Sequence, residues 1–221
     1  MLSDAYAATR QRIASLVSDL DDAATARQVP ACPEWTVHDL VAHVSGIPEA
    51  ITSGDLPGAD QQAWLDGLVD ARRDVPISEL LERWEACADA TAAMIDNGVS
   101  LIVVDLVCHE HDLRAAVAQP GARGAAEVRA IIQPLLETLL PGIKKRGTGA
   151  LMVDSDGVQW ASHVGRPACT LHVDPWEACR ALGSRRTADE LRALPRTGNI
   201  EPFIGVIADH LPLPQTSLGE A

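Results

Sequence analysis

The segment 99–118, VSLIVVDLVCHEHDLRAAVA, places more constraint on the fold than any other part of the chain. Its first half, LIVVDLV, is dominated by β-branched residues and reads alone as a buried strand. The whole run has no Gly or Pro breaker, and at about 18 residues it is too long for an ordinary strand. A helix over 100–117 is therefore predicted. On that helix Asp105 and His109 stand at i and i+4, so their side chains point to one side, a turn apart. By this spacing one helix can offer two ligands to one metal ion. Asp112, at i+3 from His109, shares the face less closely. Glu110 and His111 rotate away toward solvent or a neighbouring helix, and Glu110, His111 and Asp112 read most simply as a solvated polar face. Cys108 points about 100° around the helix from His109 and reads as core packing.

A second polar cluster lies in CPEWTVHDLVAHVSG, 32–46. QVPACPEWT, 28–36, is a Pro-punctuated loop in which Cys32 packs. Thr36 is the expected N-cap, with Asp39 in the capping-box position, and a short helix is predicted from about 37 to Gly46. With Asp39 spent as a cap, His43 is free to point inward among Leu40, Val41 and Val44. His43 from one helix with Asp105 and His109 from another make a three-ligand set. Three protein ligands with a fourth position open is the catalytic zinc arrangement rather than the structural one. A lone His on an apolar helix face is more often a hydrogen-bonded core residue, so spacing alone leaves both readings standing. His38 and Asp112 read as ordinary surface or capping residues, or as partners that orient a ligand imidazole.

The rest of the chain falls into two textures. Leu2, Tyr6, Thr9, Ile13, Leu16 and Leu20 form one face of a bundle helix. Helical patterns follow at 61–72 and at 77–96, where Leu80, Leu81, Trp84, Cys87, Ala88 and Thr91 share a stripe that ends at Asn97-Gly98. Residues 52–60 are loop. A further helix at about 125–140 is expected to end at Pro141-Gly142. After 143 the pattern alternates: ALMVDSDGVQWASHV, with an Asp156-Gly157 hairpin signal, then PACTLHVD. PWEACRALGSRR and TADELRAL read as short helices, and PFIGVIADHL as a helix or strand. The fold class is thus α followed by α/β: a helical bundle over 1–142 and a smaller α/β domain over 143–221. With 47% hydrophobic but only 3% aromatic residues, the core must pack through small and aliphatic side chains. A net charge of −13 argues against nucleic acid and against anionic membrane surfaces as partners. No apolar run reaches the roughly 18 residues of a membrane span, and MLSDAYAATRQR lacks a signal pattern, so a soluble, cytoplasmic protein is expected. The five cysteines, 32, 87, 108, 169 and 179, form no CxxC pair or disulfide framework.

VPACPEWTVHDLVAHVSG closely resembles the start of the mycothiol-dependent maleylpyruvate isomerase family. That signature has Cys32, Pro33, Trp35, Thr36, Val37, Asp39, Leu40, His43 and Gly46 in place. The family's second motif, Glu-x-x-x-His-x-x-Asp-Leu, resembles DLVCHEHDL at His109, Asp112 and Leu113, with Asp105 standing where the usual Glu would be. The resemblance implies a DinB-like four-helix bundle over 1–142 holding a divalent metal, usually zinc, through His43, Asp105 and His109. Residues 143–221 resemble the sterol-carrier-like module often found after it. The family's Gly-Arg-Arg has its nearest equivalent in Gly183-Ser184-Arg185-Arg186, so Arg185 or Arg186 would hold a substrate carboxylate. Both arginines also read as surface cations near a helix C-terminus.

What the resemblance implies chemically is activation of a thiol. A free thiol is only a few per cent thiolate at pH 7, and a coordinating cation deprotonates it. Mycothiol would be the thiol cosubstrate and a small electrophile its partner. Addition followed by rotation and thiol loss gives cis–trans isomerisation, and addition alone gives S-conjugation. None of the chain's own cysteines is required. A non-catalytic metal- or ligand-binding protein on the same bundle and a metal-dependent hydrolase are the competing readings. Oligomeric state has no signal in the sequence.

Overall fold

The computed structural model describes residues 1–220, which divide into two compact units between Ala122 and Arg123. The first unit begins with helix α1, Leu2–Val17, and the single turn α2, Asp22–Thr25. A two-stranded antiparallel ribbon follows, β1, Gln28–Val29, and β2, Cys32–Thr36. Helices α3, Val37–Thr52, α4, Gln61–Asp70, α5, Ile77–Ala86, α6, Ala88–Asp96, and α7, Leu101–Ala116, complete it. α1 packs on α6 and α7, and α3 packs on α5, α6 and α7. With α5 and α6 counted as one broken rod, four helical rods close a ring around an aliphatic core.

The predicted stripe of α1 buries Tyr6, Thr9, Ile13 and Leu16. Trp84 of α5 is fully buried against it and donates from Nε1 to the Tyr6 hydroxyl at 2.7 Å. Burial pushes the Tyr6 hydroxyl up to about 12. Trp84→Phe removes ring volume and leaves the Tyr6 oxygen without its donor. We expect a loss of about 2 kcal/mol, read as a lower urea midpoint with an unchanged m-value.

Several expectations are corrected. The 28–36 segment is the β1–β2 ribbon, not simply loop, and it lies on α3 and α7. The helix expected to stop at Gly46 runs on to Thr52, through Pro48. Gly46 is there for close approach: a Cβ would lie 3.1 Å from the Arg72 guanidinium, which donates to the Leu68 carbonyl and to Glu49. The single helix expected over 77–96 breaks at Cys87, whose carbonyl accepts from the Thr91 hydroxyl at 2.9 Å. The unit division falls at Ala122 rather than near 143.

The second unit opens on α8, Ala126–Ala130, and α9, Ile132–Arg146. α9 passes through Pro141-Gly142 and ends at Gly147, a left-handed cap with φ 63°. Gly142 is again a close approach, with Val206 3.1 Å from where a Cβ would sit. Strands β3, Ala150–Ser155, β4, Val158–Ala161, and β5, Pro167–His172, lead to helices α10, Pro175–Leu182, and α11, Ala188–Ala193. The last elements are β6, Arg196–Gly198, and α12, Glu201–His210, so PFIGVIADHL is helical. The sheet order is β4-β3-β5-β6. β3 pairs with β4 antiparallel across the Asp156-Gly157 turn, and β3 with β5 is parallel. Both turn residues have positive φ, 51° and 79°, as a primed hairpin turn requires. No helix among the described residues is long and apolar enough to cross a membrane.

Candidate metal centre

Thr36 and Asp39 form the capping box that starts α3: the Thr36 hydroxyl accepts from the Asp39 N–H at 3.1 Å, and the Asp39 carboxylate accepts from the Thr36 N–H at 2.9 Å. One turn later His43 is buried and directed toward α7. From α7, Asp105 and His109 face it as an i, i+4 pair. His43 Nε2 lies 3.3 Å from Asp105 Oδ2, and His109 Nε2 lies 3.2 Å from Asp105 Oδ1. One carboxylate thus stands between two imidazoles, each facing a different oxygen. Although Asp is shorter than Glu by one methylene, it reaches both rings. One ligand atom from each of the three residues lies within 4.8 Å of the others. The Asp105 side chain keeps 36% of its surface accessible, against 5% for His43 and 8% for His109, so the site opens on the carboxylate side.

The second nitrogen of each imidazole is treated differently. His109 Nδ1 donates to the buried Asp112 carboxylate at 2.9 Å, which leaves Nε2 directed at the site. His43 Nδ1 is buried with no hydrogen-bond partner among the described residues. Against that ring lies Trp35 of β2, centroid to centroid 4.6 Å, and Trp35 is 6.4 Å from His109. Cys32, on the same strand, forms a second cluster with His109 and Asp112, their ligand atoms again within 4.8 Å. Sequence spacing gave no sign of this ribbon residue beside His109, because the contact is made between a strand and a helix far apart in the chain.

Burial opposes ionisation of Asp105, but the charge and hydrogen bonds of His109 and His43 outweigh it and hold the carboxyl well below the usual carboxylate range. Burial likewise disfavours a charged His109. The Asp105 charge, with hydrogen bonds from the ring to Asp105, Asp112 and Cys32, overrides this and raises its pKa well above the ordinary imidazole value. The Asp105 carboxylate and the His109 imidazole thus each favour the charged form of the other. A cation held by these side chains would compete with protons for the same ligand atoms. Two imidazoles and one carboxylate, with a further direction open to solvent, are a donor set suited to zinc or a similar divalent ion.

The other polar residues of the run are not solvated. Glu110 and Asp112 are fully buried and His111 nearly so. Glu110 accepts from Arg12 Nε at 2.9 Å and Nη2 at 2.8 Å, and from Arg114 Nε and Nη2 at 3.0 Å each. It ties α7 to α1 on a face turned away from the metal ligands. His38 pairs through Nε2 with the Val75 carbonyl at 2.8 Å, a brace between α3 and the turn after α4. Cys108 is buried. Arg185 and Arg186 belong to the second unit and are not exposed cations. Arg185 donates to the Gly183 carbonyl at 2.6 Å, and Arg186 is paired with Glu177 and Glu220. Ser184 takes the left-handed conformation after α10, φ 63°, a place glycine holds without strain.

Residues 6–98 match the family described as mycothiol maleylpyruvate isomerase N-terminal domain. The matched span includes His43 and Trp35 and stops before α7, so Asp105 and His109 join the site on geometry. No curated protein and no solved structure matches the chain.

Proposed function

We propose that this chain is a metal- and mycothiol-dependent enzyme, a reading supported by the match of residues 6–98 to the mycothiol maleylpyruvate isomerase N-terminal domain. It adds the thiol to a small electrophile, as an S-transferase or as a cis–trans isomerase of the maleylpyruvate isomerase type. The observation that carries the reading is the Asp105 carboxylate held between His43 Nε2 and His109 Nε2 at 3.3 and 3.2 Å. These three residues would hold the metal, zinc being the ion that best suits the donors. When bound, a divalent cation there supplies the positive charge that converts a coordinating thiol into thiolate.

The protein's own groups do the rest. Asp112 accepts the Nδ1 proton of His109 and so presents Nε2 as a lone pair. The partly exposed edge of Asp105 leaves the thiol a way in, while the burial of both imidazoles keeps water from the remaining sides. In the second unit, which we read as the sterol-carrier-like module, Arg185 and Arg186 are the pair we propose for holding a substrate carboxylate.

The reading is tested by loading the protein with zinc and following mycothiol consumption with maleylpyruvate and with a model alkylating electrophile. Thiol-dependent conversion of either supports it. Zinc binding without thiol consumption would replace it with the hydrolase or binding-protein reading. Asp112→Asn keeps all three ligands but no longer fixes the His109 tautomer. It should weaken zinc binding about 10- to 100-fold in a chelator competition titration.

A further inference from the structure

Among the described residues, every arginine of the second unit but one has a partner. Arg146, Arg180, Arg186 and Arg192 face carboxylates. Arg123, Arg185 and Arg196 donate to carbonyls, and Arg129 lies over the Trp160 ring. Arg166 makes no hydrogen bond, ion pair or ring contact with any described residue, although the chain carries 31 acidic residues against 18 basic ones. It stands just before β5 and lines a cavity of about 550 Å³ with Pro167, Ala168, Thr170, Thr197 and Gly198. No carboxylate is among these residues.

The strand pattern explains why two hydroxyls reach the same cavity. Cys169 and Leu171 of β5 turn to the buried face of the sheet. Thr170, between them, therefore points to the opposite face, and Thr197, its register partner on β6, points the same way. Gly198 lets the two strands lie close: its φ is 83°, and a Cβ there would sit 2.1 Å from the Ala168 carbonyl oxygen. Thr170 is only 9% exposed, yet its hydroxyl has no hydrogen-bond partner among the described residues. Buried polar groups are as a rule paired, so this hydroxyl is left for something that enters the cavity. The Thr197 hydroxyl has one long contact, 3.4 Å to His172 Nε2.

A permanent cation and two hydroxyls, with no acid among them, suit an anion with several oxygen acceptors. A carboxylate offers two oxygens in one plane. A phosphate monoester offers three around a tetrahedron, which donors on two strands and a preceding loop can approach from different directions. The volume falls within the roughly 300–1,000 Å³ of small-molecule sites and leaves room beyond the phosphate for an organic group, against Pro167 and Ala168.

We propose that this cavity binds a small phosphate monoester, with its phosphate oxygens on the Arg166 guanidinium and the Thr170 and Thr197 hydroxyls. The proposal goes beyond the proposed function and shares no residue with His43, Asp105, His109, Arg185 or Arg186. It is tested without added zinc, so its failure leaves the metal reading standing.

The probe is glucose 6-phosphate. Glucose lacks the phosphate, and gluconate carries a carboxylate instead. Amide chemical shifts of the isotope-labelled full chain are followed up to about 10 mM of each, a range that captures weak small-anion sites. Glucose 6-phosphate should move the amides of Thr170, Thr197 and Gly198 along a saturable curve. Glucose should leave them in place, and gluconate should bind about tenfold more weakly or not at all. Arg166→Gln, at an exposed position, should weaken glucose 6-phosphate about tenfold or more. Thr170→Val, which keeps the shape and the β-branching, should weaken it about fivefold. The spectra themselves report that each variant is folded. Amides that stay in place with glucose 6-phosphate, equal affinity for gluconate, or binding unchanged in Arg166→Gln would each overturn the proposal.

Discussion

Replacing His43 and His109 together by alanine should abolish stoichiometric zinc binding. The wild-type chain should carry about one zinc, and the double variant none above background, as read by atomic emission on purified, untagged protein. The expectation rests on how the three side chains share their contacts. Asp105 has one oxygen directed at each imidazole, so removing both rings leaves a single carboxylate with no second protein ligand on either side. One carboxylate in water does not hold zinc at micromolar concentrations. Alanine at both positions leaves cavities beside Trp35, and it takes one hydrogen bond from the buried Asp112 carboxylate, while the Asp105 side chain reaches solvent. The folded state of the double variant is checked by circular dichroism, so that loss of zinc is read on folded protein. A wild-type chain that stays metal-free after incubation with zinc would sink thiol activation as its mechanism.

The largest effect on stability should come from Glu110→Ala. This carboxylate is wholly buried, and it receives four hydrogen bonds from Arg12 of α1 and Arg114 of α7. Its removal would take the shared carboxylate away from both guanidinium groups. Removing one partner of a buried ion pair costs about 3–5 kcal/mol. Arg12 and Arg114 retain some access to water, 27% and 16% at their side chains, so the lower end, about 3 kcal/mol, is expected. That corresponds to a melting temperature lower by roughly 10 °C for a chain of this size. Glu110→Gln keeps the shape and two acceptor sites and should cost less than half as much. Because Glu110 faces α1 while His109 faces α3, the folded fraction of either variant should still take up zinc. A melting temperature within about 2 °C of wild type for Glu110→Ala would show that the arginines are satisfied by water instead.

The helices were legible because their signals are local. Periodicity marked α1, the Thr36/Asp39 pair marked the start of α3, and length alone separated α7 from a strand. The Asp156-Gly157 hairpin was equally local, since its turn type demands residues that tolerate positive φ. The misread boundaries share one physical cause. Gly46 and Pro141-Gly142 look like helix terminators to a local reading. In the structure Gly46 and Gly142 are close-approach residues, one beneath the Arg72 guanidinium and the other beneath Val206. Which role a glycine plays depends on what packs against it, and that neighbour is far away in sequence.

The same division runs through the site. By itself the sequence determined which residues could serve as ligands, His43, Asp105 and His109, because capping chemistry and i, i+4 geometry are properties of single helices. Only the tertiary structure decided that the two helices bring these side chains onto one carboxylate. Only it, too, placed Cys32 and Trp35 beside them on a ribbon, turned Glu110 from a surface acid into the buried tie between α1 and α7, and paired Arg186 with Glu220. Each of those is a contact between segments distant in the chain. Its energy comes from burial and charge pairing, which no local pattern of residues encodes.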